Sequence, residues 1–133
     1  MSSVRLVRSS RLSASAEYAY ASAVPRDVDL IFLAGACPID EDGTTVSPGD
    51  YAAQARKCFE NLVVAVTDAG ATIRDIAVTR VLVASSNQAD LVTAWEVVRD
   101  AFGDHDVPST LMGVTVLGYD DQLVEIEAIA AVR

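Results

Sequence analysis

Leu123-Val124-Glu125-Ile126-Glu127-Ala128-Ile129-Ala130, read together with Val107-Pro108-Ser109-Thr110-Leu111-Met112-Gly113-Val114, is the part of the chain around which the rest is organised. In the first stretch Val124, Ile126, Ala128 and Ala130 alternate with Leu123, Glu125, Glu127 and Ile129, the two-residue period of a strand with two different faces. Glu125 and Glu127 therefore point the same way, about 6.5–7 Å apart at the rise of an extended chain. Leu123 and Ile129 bracket them on that side. Paired carboxylates among apolar neighbours fit either a face that meets water or a place where chemistry is done.

The composition limits which partners are possible. At 133 residues, 51% hydrophobic and 22% charged, the chain has enough apolar area to oppose chain entropy, and one domain over residues 1–133 is expected. The net charge of −9, with Lys57 as the only lysine and the arginines scattered, repels phosphate backbones and anionic membrane surfaces. No nucleic acid and no membrane partner is expected. Met1-Ser2-Ser3-Val4-Arg5-Leu6-Val7-Arg8 lacks the apolar core of a secretion signal, and no run of apolar residues is long enough to span a bilayer, so a cytoplasmic location is expected. Cys37 and Cys58 stand outside any metal-binding spacing, which argues against a zinc site or a disulfide framework.

Working outward from the C-terminal pair, residues 76–83 are β-branched and predict a strand. Ser86 or Asn87 caps a helix over residues 88–102, whose stripe of Leu91, Trp95, Val98 and Phe102 ends at Gly103. Trp95 reads as a core or interface residue. His105, between Asp104 and Asp106, reads as a surface loop histidine. An earlier helix starts with Ser47 as N-cap and Pro48 in the first position, buries Tyr51, Ala55, Cys58, Phe59, Leu62 and Val66, and ends at Gly70. Cys58 lies in that stripe and reads as a buried thiol. Residues 37–43 form an acidic turn without the ligand pattern of a calcium loop.

Upstream, residues 4–8 and 17–24 predict strands, and the latter has Tyr18 and Tyr20 on one face. Pro25-Arg26-Asp27 marks a turn leading into the strand at 30–36, which makes 17–24 and 30–36 a hairpin. The run at 30–36 is apolar without alternation, as in a central strand, and Gly35 within it implies a bulge or a group close to the backbone. Six strands and two helices predict an α+β domain of two layers, a six-stranded mixed sheet with both helices on one face. The uncovered sheet face would expose Phe32 and Ile129, so association into a homo-oligomer is expected, with ligand sites where subunits meet.

Several stretches coincide with a known pattern: residues 30–40 followed by Gly43, then Gln54-Ala55-Arg56, Asn61, Gly70-Ala71, Ile76, and the strand at 124–130. The sequence resembles the RidA/YjgF family of reactive-intermediate deaminases over essentially its whole length. The resemblance implies a chorismate-mutase-like fold and a homotrimer with clefts between neighbouring subunits. It further implies hydrolysis of 2-imino or enamine acids to 2-oxo acids and ammonia, without metal or cofactor.

The resemblance also assigns roles. Glu125 falls on the glutamate that orients the hydrolytic water, and Tyr18, or Tyr20, on a cleft tyrosine. Ala34 and Ala36 replace a serine and a glutamine beside Gly35, and Met112 replaces a small or thiol residue. The arginine that grips the substrate carboxylate is replaced by Thr110, or by Ser109 with a one-residue shift, and no arginine or lysine lies between Arg99 and Arg133. A hydroxyl cannot supply the fork of a guanidinium. A cleft emptied of positive charge suits a neutral or cationic ligand better than the usual anionic 2-imino acid. The expected protein is a hydrolase of this fold with altered substrate, or a trimeric small-ligand-binding protein without catalysis. Ribonuclease activity, also attached to this family, is opposed by the net charge and by the lack of a histidine pair.

Overall fold

A computed structural model describes residues 2–133. The six strands are β1 (Arg5–Val7), β2 (Ala21–Ala23), β3 (Asp29–Phe32), β4 (Ile76–Ala84), β5 (Ser109–Val114) and β6 (Val124–Val132). The two helices are α1 (Tyr51–Asp68) and α2 (Gln88–Phe102). The class is the expected one, with both helices on one face of a mixed sheet. The strands, however, fall into a four-stranded sheet ordered β3-β6-β4-β5 and a separate β1-β2 ladder. β4 and β5 run parallel through the α2 crossover, while β6 is antiparallel to both β4 and β3.

The alternation read in residues 123–130 is the alternation observed. Val124, Ile126, Ala128 and Ala130 are buried beneath the helices, while Glu125, Glu127 and Ile129 face the other way. Val81 and Val83 of β4 extend that buried layer. Above it α1 lays down Ala55, Cys58, Leu62 and Val66 and α2 lays down Ala94, Val98 and Phe102. Phe59 and Phe102 meet edge to face, with ring centroids 5.0 Å apart. Each fully buried large side chain of this kind contributes roughly 1.5–3 kcal/mol.

Four local expectations are corrected. The predicted hairpin does not form: β2 pairs with β1, and β3 pairs with β6. β3 is an edge strand rather than a central one, and Phe32 is 73% exposed. An apolar run without alternation looks the same whether both faces are covered by its own chain or one is left bare. α1 is capped by Asp50, whose carboxylate accepts from Ala53 N, and not by Ser47. Ser47 has a positive φ in the turn before the helix. The C-terminus is as expected: Gly70 N donates to Thr67 O and Ala71 N to Val66 O, the paired bonds of a left-handed cap.

His105 is the fourth correction. It is buried, its Nε2 lies 2.9 Å from Ile76 O, and its ring packs on Phe102. The flanking aspartates turn outward to arginines, Asp104 to Arg74 and Asp106 to Arg8. The ring is thereby left to face the core. Among the described residues no helix is long and apolar enough to cross a membrane.

Candidate active site

The candidate residues gather in two places. At the first, the Glu125 carboxylate lies against Gly35. Its Oε1 accepts from Gln122 Nε2 at 3.0 Å and from the Cys37 thiol at 3.2 Å. Oε2 has no hydrogen-bond partner among the described residues and occupies the space over Gly35, where a methyl group would stand 2.1 Å from it. The close approach that a glycine inside an apolar strand implied is therefore that of Glu125.

Polar side chains from α1, buried Gln54 and half-buried Asn61, hold this cluster in place. Asn61 Nδ2 donates to Cys37 O and Ile39 O at 2.8 and 2.9 Å. Gln54 accepts from Leu123 N at 2.7 Å and donates to Asp121 O at 3.0 Å, which fixes the entry into β6. The Ala36–Ile126 bridge aligns the two backbones between them. Burial raises the Cys37 thiol to about 11, with the hydrogen bond and charge of Glu125 adding to it. Cys37 is thus a neutral donor at neutral pH and not a nucleophile. Burial likewise pushes the Cys58 thiol up, and Cys58 donates to Val124 O as a core residue.

The second place is a hollow of about 320 Å3 along the free edge of β5, lined by Tyr18, Trp95, Ser109, Thr110 and Leu111. Tyr18 meets Trp95 edge to face at 6.2 Å. Trp95 in turn donates from Nε1 to Glu17, which also pairs with Arg99. Tyr18 rather than Tyr20 lines the hollow, and Tyr20 is engaged with Ser13 O.

Register separates the two hydroxyls left open at position 109 or 110. Ser109 lies opposite Thr79 and accepts its hydroxyl at 2.8 Å, and Thr79 lies opposite buried Ala128. Thr110 belongs to the uncovered face, in a row with Arg80 and Glu127. Met112 shares the next row with Leu82 and Glu125. The expectation that this face lacks positive charge is therefore corrected. Arg80, 30 residues from Thr110 in sequence, is its direct neighbour across the strands.

Within one chain the Gly35–Glu125 cluster and the Tyr18–Thr110 hollow do not meet. β5 and β6 flank β4, two strand spacings or about 9.5 Å apart. Sequence reasoning also missed Cys37 and Gln122 as partners of Glu125, since nothing in their local pattern marks them. Among the described residues no group of three or more His, Cys, Asp or Glu side chains is arranged to hold a metal ion.

Comparisons with known proteins bear on the family and the fold. Residues 9–132 match the family described as Endoribonuclease L-PSP. A RutC family protein of Pyrococcus abyssi is 31% identical over 102 residues, covering 77% of this chain and 78% of the relative. Among solved structures, YyfB of Yersinia pestis, of the conserved Rid protein family, superposes with a TM-score of 0.88 at 25% identity, covering 98% of this chain and 99% of that one. The YjgF gene product of E. coli superposes with a TM-score of 0.67 at 27% identity, covering 97% and 99%. On this sequence match and shared fold, the chain belongs to the Rid/YjgF (endoribonuclease L-PSP) family.

Proposed function

We propose that the protein hydrolyses the C–N bond of a small imine or enamine in a cleft between copies of itself, assembled as a homotrimer. The observation that carries this reading is the state of the Glu125 carboxylate. One oxygen is tied to Gln122 and Cys37 and the other is free beside a glycine. The free Oε2 accepts a proton from a water as that water attacks the imine carbon. That proton then passes to nitrogen to give a carbinolamine; the carboxylate next takes the hydroxyl proton and delivers it to the amine, so that the C–N bond breaks and ammonia leaves behind a carbonyl product.

The separation of the two clusters supports the oligomeric part. Tyr18, Thr110 and Met112 of one copy need the Gly35 and Glu125 of another to close a site. The uncovered face, with Phe32 and Leu30 exposed, supplies apolar surface for that contact. At position 110 a hydroxyl stands where the resemblance calls for a guanidinium, so the usual anionic 2-imino acids are not gripped there. Ribonucleolysis is disfavoured by the net charge and by the burial of the only histidine.

The test follows the absorbance of freshly generated 2-aminoacrylate, and of a neutral enamine, with wild-type protein, with E125Q and with buffer. At least one substrate is expected to be consumed faster than in buffer, and E125Q is expected to abolish the gain. Buffer rates for both substrates, or an unimpaired E125Q, would overturn the reading. A monomer in sedimentation would remove the shared cleft.

A further inference from the structure

Arg80 is the only basic residue in the four strands of the main sheet. It is exposed on the uncovered face, between Thr110 on one side and Glu127 on the other. No ion pair within 4.0 Å engages it among the described residues, whereas Arg8, Arg74, Arg99 and Arg133 are all paired. It borders a hollow of about 250 Å3 whose other walls include Phe32, Leu33, Val78, Glu127 and Ile129.

We propose that Arg80 is the group that holds a ligand carboxylate on this face, taking from one strand over the role a guanidinium at position 110 would have. The ligand class is then a small monocarboxylate with an apolar substituent. The proposal rests on the reading of this face as the reacting cleft.

Side chains directly opposite on one sheet face have Cβ atoms about 4.5–5.5 Å apart. An arginine stem is longer than that, so a guanidinium rooted at position 80 reaches over the short Thr110 side chain, whose hydroxyl adds a donor. Glu127 competes for the same guanidinium, but exposed ion pairs are weak. A ligand carboxylate against apolar walls offers a bidentate, charge-assisted fork instead. Glu125, one row further along the face opposite Leu82, repels an anion there and leaves Arg80 as the cation that an anion on this face meets. Phe32, Val78 and Ile129 then receive the apolar substituent.

The experiment titrates 2-oxobutyrate and its neutral amide calorimetrically into native protein and into R80A, R80K and T110V. These unreactive probes separate binding from turnover. Native protein is expected to prefer the acid roughly tenfold to hundredfold. R80A is expected to lose the preference, R80K to keep part of it, and T110V to keep most of it. Melting curves and sedimentation establish that each variant is folded and assembled. Absence of a preference in native protein, an unchanged preference in R80A, or equal loss of both ligands through dissociation of the assembly would overturn the assignment. Acid preference without any imine hydrolysis would sink the hydrolase reading and leave Arg80 standing. Hydrolysis of neutral imines without acid preference would do the reverse.

Discussion

Replacing Gly35 with alanine places a methyl group 2.1 Å from Glu125 Oε2, 2.7 Å from Cδ and 3.0 Å from Cγ. The three nearest atoms all belong to one side chain. Carbon contacts are ordinarily about 3.5–4.0 Å, so the carboxylate must retreat by more than an ångström and lose its bonds from Gln122 and Cys37. Gly35 has no positive φ, and backbone strain plays no part. The cost is about 1–3 kcal/mol, the range for adding a methyl group to filled space. G35A, E125A and the double variant, followed by urea denaturation monitored by circular dichroism, form a cycle that isolates this contact. In the E125A background the obstacle is gone, and G35A is expected to cost almost nothing, a coupling of about 1–3 kcal/mol. Additivity within about 0.5 kcal/mol would refute the placement of Glu125 over Gly35. G113A is the contrasting control: its methyl group would meet the backbone carbonyl of Ser85 at 2.5 Å, a clash that E125A does not relieve.

Two further predictions concern titration. Because burial and then Glu125 raise the Cys37 thiol to about 11, alkylation by iodoacetamide at pH 8 is expected to be slow, and E125Q is expected to speed it by removing the charge; a slower or unchanged rate in E125Q would contradict the contact. The Asp106 carboxyl is held below the usual range by hydrogen bonds from Arg8 at 2.6 Å. Its contribution to stability is therefore present above the unfolded value of about 3.9 and lost as pH falls through the lower folded value. R8L is expected to lower Tm slightly at pH 7 and to leave it unchanged near pH 2, and a difference that persists in acid would show the pair to be unimportant.

What was legible in the sequence is what periodicity encodes. The face of β6 that carries Glu125 and Glu127, the stripe of α1 and the strand β4 follow from alternation along one segment. Pairing was less legible. β2 joins β1 although Pro25 and Arg26 suggested a turn back onto β3, because local turn chemistry says where a chain bends and not which strand receives it. His105 was misread for the same reason. Two aspartates beside it signal a surface loop, but both are drawn outward by arginines remote in sequence. Arg80 was not legible as a neighbour of Thr110 because it lies 30 residues away, on the parallel strand before the α2 crossover.

The two halves of the candidate site differ in how firmly they are held, and this bears on how substrate choice can vary. The Glu125 half is pinned by Gln54, Asn61 and Gln122, of which Gln54 and Gln122 are almost wholly buried and all of which donate to main-chain carbonyls of the segments that present the carboxylate. Removing any of them leaves polar groups without partners inside the fold, a cost of about 1–3 kcal/mol each, so that half cannot change without loss of stability. The other half rests on exposed Thr110 and Arg80 and on Tyr18, which precedes β2 in an irregular segment. Surface substitutions there cost within about 0.5 kcal/mol. A cation can therefore move from one strand to its neighbour without disturbing the carboxylate, and the proposed use of Arg80 in place of a guanidinium at position 110 is a move of that kind.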